Sequence, residues 1–164
     1  MTSTGRGTKN ADDALLVREG DIAGDYLERL LDILDSDGDI DMDVEGERAV
    51  VAVVGPDLDK LVGPGGATLE ALQELTRLAV LRETGVRSRL MLDIGGHRAR
   101  RREQLTEVGA RAARRAIESG EPVALEPMTP FERKVVHDAV AGVDGARSES
   151  DGLEPDRYVV ILPG

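Results

Sequence analysis

The strongest constraint on the fold is a change in hydrophobic period near residue 38. Between Ile22 and Asp35 apolar residues recur every three to four positions, which predicts an amphipathic helix. The stretch DIDMDVEGERAVVAVVG then alternates apolar residues with aspartates and, past a glycine turn, becomes continuously apolar. That pattern predicts a hairpin with one solvated and one buried strand, and the combination favours an α+β fold.

A second series of elements follows the first. Gly95-Gly96 interrupts the pattern, and the chain starts again with an arginine-rich helix. The elements predicted after the hairpin are a short helix at 56–62, a helix from the next glycine turn to about 83, a strand at 87–94, helices at 98–119 and 130–140, and strands at 122–127, 143–148 and 158–162. We therefore predict two small domains, at 15–96 and 97–164, behind a polar, disordered lead at 1–14.

The charge distribution limits the partners that this chain can have. The net charge is −11 over 164 residues, which taken alone argues against a nucleic-acid partner. The charges are unevenly spread, because residues 21–46 hold ten acids and one arginine, whereas residues 97–120 hold seven arginines and three acids. One part of the chain is thus predicted to repel phosphate and another to accept it.

Nothing in the sequence predicts export or membrane insertion. The first residues lack the apolar core of a signal peptide, and no stretch approaches the roughly 20 apolar residues of a membrane span. The chain has no cysteine, which suits a reducing compartment. We expect a cytoplasmic protein without a membrane span.

The segment KLVGPGGATLEAL contains the first candidate site, Gly63-Pro64-Gly65-Gly66. Glycines without Cβ atoms let a sugar-phosphate backbone come close, and the following helix offers N–H groups and a positive dipole end to phosphates. A plain turn is the alternative interpretation of G-x-x-G. In its predicted context, however, the turn resembles the loop of a type II KH (K homology) domain, which clamps about four nucleotides.

The segment MTPFERKVVH contains the second candidate site. Arg133 and His137 are four residues apart on a predicted helix and project from nearly the same side. A guanidinium fork beside an imidazole suits a phosphate oxygen, and Lys134 adds a charge. Arg98 and Arg101 stand at the junction of the two halves, where a nucleic-acid backbone could meet them. A solvated surface without a task is the alternative in both cases.

Three catalytic or metal-binding patterns fail. An EF-hand loop starting at Asp35 would need glycine where Ile40 stands and glutamate where Gly46 stands. A nucleotide phosphate loop would need GK[ST], and this glycine turn is followed by Ala67 and Thr68. Neither histidine has a nucleophile motif beside it. We therefore expect no catalysis, no metal and no cofactor.

Four segments together resemble the bacterial Jag family, the SpoIIIJ-associated, KhpB or EloR-like proteins: LVGPGGATLEALQELTRLAV, DIGGHRARRREQL, PVALEPMTPFERKVVHDAV and RYVVILP. Members of this family join a KH domain to a domain named for its Arg-x-x-x-His signature. The resemblance implies a type II KH-like domain, α-β-β-α-α-β, followed by an R-three-H-type α/β domain. It also implies single-stranded RNA binding, a role in cell-envelope or cell-division regulation, a small KH-only partner and an indirect link to a membrane-protein insertase.

We predict from these observations a single-stranded RNA-binding regulator, with single-stranded DNA as the alternative ligand. RNA is expected at the glycine turn, beside a groove lined by Val62, Leu69 and Leu72, and at the Arg-x-x-x-His helix. The rival prediction is a protein-interaction adaptor that pairs with another KH protein and binds little or no RNA. The acidic segment 21–46 and the uncharged turn favour that rival.

Overall fold

The computed structural model describes residues 4–164, with side chains from residue 11 onward. The chain divides into two compact units, Met1–His97 and Arg98–Gly164. Each contains helices and a three-stranded sheet, which confirms the predicted α+β class. Within the described residues, no helix combines the length and the apolar character needed to cross a membrane.

The first unit has the element order predicted from the sequence. Its elements are α1 (Thr4–Ile33), β1 (Asp39–Glu45), β2 (Arg48–Val54), α2 (Asp59–Val62), a 3₁₀ turn (Pro64–Gly66), α3 (Ala67–Thr84) and β3 (Met91–Ile94). Strands β1 and β2 form the antiparallel hairpin, and β3 pairs with β2 in parallel. Because β2 and β3 run in parallel, their carboxyl ends meet at one edge of the sheet, where the Gly95 N–H donates to the Val53 carbonyl at 2.8 Å.

Helix α1 begins earlier than predicted. It starts at Thr4, so residues 4–14 are helical where we predicted a disordered lead; residues 1–3 lie outside the described residues. Leu27 and Leu31 are buried and fix later turns of α1 in the core. Once such turns are formed, each added residue gains one backbone hydrogen bond without a new nucleation cost, so a helix can extend N-terminally from them. Residues 11–14 of this extension, with the sequence Ala-Asp-Asp-Ala, are exposed.

Burial along β2 alternates with a period of two, although the sequence of this strand is continuously apolar from Ala49 to Val54. In β2 the side chains of Ala49, Val51 and Val53 are buried, and the residues between them are half-buried or exposed. Gly46 forms the turn with φ of 60°, a conformation that favours glycine. The apolar core beneath β2 is completed by side chains from α1, α3, β3 and the residue before β3, chiefly Leu27, Leu69, Val80, Leu90, Leu92 and Ile94.

Helix α4 (His97–Ser119) begins at the last residue of the first unit, and the second unit continues with β4 (Val123–Ala124), α5 (Pro130–Ala141), β5 (Ala146–Asp151) and β6 (Tyr158–Pro163). The sheet order is β4-β6-β5 with antiparallel pairing throughout. The predicted start of α5 is confirmed: the Thr129 hydroxyl accepts from the Glu132 N–H, and the Glu132 carboxylate accepts from the Thr129 N–H. This capping box fixes the first turn of the helix that carries Arg133 and His137.

Candidate nucleic-acid interface

The glycine turn joins α2 to α3 in a backbone conformation that side chains disfavour. Gly63, Gly65 and Gly66 have φ of 72°, 62° and 80°. A Cβ atom on Gly63 would collide with the Thr68 side chain, and one on Gly66 would lie 3.0 Å from His97 Nε2. Sterics therefore require glycine at Gly63 and leave little space at Gly66.

Gly65 is different, because it faces open space. A Cβ atom there would meet nothing within 4 Å, and Gly65 and Pro64 are both exposed. The tip of the turn is thus bare backbone with neither a basic nor an acidic side chain of its own. A second polymer backbone can reach this tip without displacing a side chain.

The hydrogen-bond donors of the turn are partly used within it. The Gly66 N–H donates to the Gly63 carbonyl at 3.2 Å, and the Ala67 N–H donates to the Pro64 carbonyl. Gly66 is the N-cap of α3 and has no side chain that could accept from the N–H groups of the first helical turn. The positive end of the α3 dipole lies at the turn, although the Glu70 carboxylate in the first turn opposes it.

The apolar groove predicted beside the turn is mostly core. Leu69 is 1% exposed and Leu72 is 9% exposed, and both belong to the core of the first unit. Val62 is half-buried and is the one of the three predicted residues that reaches the surface. The prediction failed because the same apolar positions of α3 that suit a groove are needed to cover the sheet.

The arginines at the start of α4 are held by the first turn of α5. Arg98 is 7% exposed, with its guanidinium 5.3 Å from the centre of the Phe131 ring, and the Arg102 guanidinium lies 5.6 Å from the same ring. Arg101 donates from Nε to the Glu132 carboxylate. Arg98 is therefore a buried structural residue, and Arg101 is a half-exposed ion-paired one, rather than the two open surface cations that we expected.

The Arg133 side chain is largely buried, and its guanidinium has two acceptors. Nη1 donates to the Met128 carbonyl at 2.9 Å, and Nη2 donates to the Glu154 carboxylate at 2.6 Å. The Arg133 side chain is 11% exposed, whereas the Glu154 side chain is 52% exposed. One edge of the guanidinium is thus bound to the protein main chain, and the other faces a carboxylate that reaches the solvent.

His137 lies against strand β5, where two hydroxyl groups bind it. Nδ1 is 2.6 Å from Ser148 Oγ, and Nε2 is 2.8 Å from Ser150 Oγ. Partial burial lowers the pKa of His137 below its usual value, and the charge of Arg133 lowers it further, against a smaller opposite effect of Asp138. The lowered pKa favours the neutral imidazole, in which one ring nitrogen donates and the other accepts.

Lys134 is the exposed cation of this helix. Its side chain is 76% exposed, and Nζ pairs with the Asp138 carboxylate at 3.0 Å. A surface pair of this kind contributes little to stability, so the ammonium group can exchange its partner for a phosphate. In the described part of the chain, no group of three or more histidine, aspartate or glutamate side chains is placed to hold a metal ion.

Sequence reasoning missed the residues that contact Arg133 and His137. Ser148 and Ser150 are two apart on a strand and therefore share a face, a signal that the period of two provides once the strand is placed at Ala146–Asp151. Glu154 gives no such signal, because it lies in a loop 21 residues from Arg133. Only the folded chain brings these two side chains together.

The second candidate site lies in a segment that matches a known domain family. Residues 103–163 match the R-three-H domain family, a segment that includes Arg133, Lys134 and His137 but not Arg98 and Arg101. The chain is 34% identical over 143 residues to a protein of Clostridium symbiosum, covering 86% of this chain and 64% of the relative. It is 31% identical over 137 residues to a protein of Lactiplantibacillus plantarum, covering 84% of this chain and 42% of the relative.

A third relative, from Bacillus subtilis, is 28% identical over 138 residues, covering 83% of this chain and 66% of the relative. All three relatives carry the name RNA-binding protein KhpB, and this chain spans between about two fifths and two thirds of their length. The resemblance to the Jag family is thereby confirmed: residues 103–163 match the R-three-H domain, and the chain is similar over most of its length to proteins named KhpB.

Proposed function

We propose that this protein binds single-stranded RNA without catalysis, through the glycine turn of a KH-type first domain, residues 15–96, and the α5 helix of the second, residues 97–164. The observation that carries the proposal is Gly65, which is exposed, has φ of 62° and leaves open the space that a side chain would fill. The name of the relatives and the R-three-H match support RNA as the ligand. Single-stranded DNA is the alternative ligand.

At the glycine turn, the main chain provides the contact. A phosphate beside Gly65 approaches the N–H groups at the start of α3 and the positive end of that helix. Gly63 and Gly66 keep the turn in the left-handed conformation that exposes Gly65. Since no lysine or arginine stands among residues 63–66, we expect this contact to depend on shape more than on charge.

At α5, side chains provide the contact. Lys134 reaches phosphate by exchanging its exposed pair with Asp138. Arg133 offers the edge of its guanidinium that faces Glu154, and His137 lies one helical turn away with a pKa that burial and Arg133 lower in the free protein. Arg98 and Arg101 act by holding the first turn of α5 and do not themselves contact the ligand.

The proposal is tested by titrating a labelled, unstructured oligo(U) RNA with the full chain at two salt concentrations. Binding should weaken steeply with salt, because each neutralised phosphate releases counterions. Lys134→Ala should lower affinity by about three-fold or more and reduce the log–log salt slope by about 0.7, the value for one phosphate of a single strand. A flat salt response for the parent protein would remove phosphate contact from the proposal.

Arg111→Ala is the matched control for Lys134→Ala. Arg111 is 70% exposed on α4 and pairs with Glu107 four residues before it, so both variants remove an exposed helical cation from an ion pair. The two variants change the net charge equally. Equal losses of affinity would mean that only the overall charge matters and would contradict a site at α5.

We further propose that the protein acts in the cytoplasm as a post-transcriptional regulator connected to the cell envelope or cell division, together with a small KH-only partner and, indirectly, a membrane-protein insertase. This part rests only on what the resemblance to the Jag family implies. Copurification of partner proteins from cells, with and without ribonuclease, separates this regulatory role from the rival adaptor function. Partner binding that survives ribonuclease, in a protein that fails to bind oligo(U), would favour the adaptor.

A further inference from the structure

The loop between β5 and β6, residues 152–157, returns to α5 and places a carboxylate on Arg133. Glu154 Oε1 lies 2.6 Å from Arg133 Nη2. The far end of the loop is fixed close by, because the Arg157 carbonyl accepts from the Met128 N–H at 3.1 Å, and the Met128 carbonyl accepts from Arg133 Nη1. Arg133 is thus held from one side by Met128 and contacted from the other by Glu154.

The two contacts of Arg133 differ in how easily they can be replaced. The Met128 carbonyl belongs to the main chain and stays in place as long as the loop is anchored. The Glu154 side chain is 52% exposed and can turn to solvent, which would leave one edge of the guanidinium open. A carboxylate and a phosphodiester both present two oxygen atoms to a guanidinium fork, so they compete for the same edge.

We propose that Glu154 occupies the phosphate position of Arg133 and that an RNA phosphate displaces it on binding. Glu154 is then the residue that sets how strongly α5 binds RNA, since every phosphate captured by Arg133 must replace an existing ion pair. This inference rests on the proposed function, because it assigns the phosphate subsite within the same helix. Nothing in the local sequence around Arg133 or Glu154 indicates this competition.

The same loop offers a matched control. Asp156 lies two residues after Glu154 and is exposed, and its main-chain N–H donates to the Leu153 carbonyl. Asp156→Asn and Glu154→Gln each remove one negative charge from the loop with almost no change in shape. Any general electrostatic effect on RNA binding is therefore common to both variants, and only Glu154→Gln weakens the contact with Arg133.

The experiment measures the affinity of labelled oligo(U) for the parent protein, Glu154→Gln, Asp156→Asn, Arg133→Ala and the double variant Glu154→Gln/Arg133→Ala. Glu154→Gln should bind about two- to five-fold more tightly than the parent, the range expected for releasing a partly exposed ion pair. Asp156→Asn should change affinity by less than about 1.5-fold, because it lacks the contact with Arg133. The gain from Glu154→Gln should vanish in the Arg133→Ala background.

The outcomes separate this inference from the proposed function. Equal affinities of Glu154→Gln and Asp156→Asn, with Arg133→Ala weakened, would overturn the displacement of Glu154 and leave RNA binding at α5 intact. An Arg133→Ala protein that is folded and binds RNA like the parent would overturn both the displacement of Glu154 and the binding of RNA by Arg133. If Arg133→Ala does not fold, the comparison of Glu154→Gln with Asp156→Asn by itself decides whether RNA displaces Glu154. Both of these changes are on an exposed loop, so we expect both variants to fold.

Discussion

The sharpest test of main-chain recognition is a substitution at Gly65. This position accepts a side chain without a steric clash, since nothing lies within 4 Å of an added Cβ atom. Its φ of 62° is in the left-handed region, which asparagine and aspartate tolerate better than other residues. Gly65→Asp and Gly65→Asn should therefore fold alike, at a similar cost of about 1 kcal/mol.

The two variants differ only in charge, so their difference in affinity isolates the contact with phosphate. A carboxylate about 6 Å from a bound phosphate, at an effective dielectric constant of about 40, repels it by about 1.4 kcal/mol. This corresponds to an affinity about ten-fold lower for Gly65→Asp than for Gly65→Asn. The difference should shrink as salt is raised, because the two charges lie at a screened surface.

The assay is fluorescence anisotropy with labelled oligo(U), after circular dichroism has established that both variants are folded and equally stable. Gly65→Asn reports the effect of filling the space, and Gly65→Asp adds the charge. Equal affinities for the two variants would refute the reasoning, because a phosphate held at the turn cannot be indifferent to an adjacent carboxylate. Equality with the parent as well would mean that the turn has only a structural role.

Three further predictions concern stability. Gly63→Ala should lower the free energy of unfolding, measured in urea, by at least about 1 kcal/mol more than Gly65→Ala, because a Cβ atom at position 63 collides with Thr68 and one at position 65 meets nothing. Equal losses would contradict the geometry of the turn. Stability should fall as the pH drops below about 6.5, since the unfolded chain protonates His137 before the folded chain does, and His137→Gln should reduce this fall. Burial raises the pKa of Glu19, and a hydrogen bond with the Ser88 side chain partly opposes this shift; Glu19 Oε2 has no partner among the described residues. Glu19→Gln should therefore raise the free energy of unfolding at pH 7 by about 1 kcal/mol. The substitution should have little effect in acid, where Glu19 is protonated in both the folded and the unfolded chain.

The element order of the first domain could be predicted from the sequence because each element has a strong local signal. The period of two in β1, the apolar run of β2 and the glycine turn before α3 are all visible in sequence. The start of α1 was missed, since residues 4–14 have no apolar period and become helical as an extension of turns that pack further along. Helix extension of this kind depends on the packed part of the helix and leaves no pattern of its own.

The candidate sites show the same division between local and distant causes. The sequence identified the glycine turn, since only glycine accepts the left-handed conformation at adjacent positions, and it identified Arg133 and His137 by their spacing on one helix. It failed for the predicted groove, because burial of Leu69 and Leu72 depends on whether the sheet covers them. It also failed for Arg98, whose burial depends on the position of Phe131.

The sequence by itself therefore determined the class of fold, the open turn and the helix with the Arg-x-x-x-His pair, because these follow from period, glycine placement and spacing within a few residues. Only the tertiary structure decided that Arg133 faces Glu154 and that His137 lies between Ser148 and Ser150. These contacts join residues 11 to 21 positions apart, and a contact across that distance is set by how a helix packs on a sheet. The hydrogen bonds and the ion pair that hold Arg133 and His137 are thus a property of the packed domain.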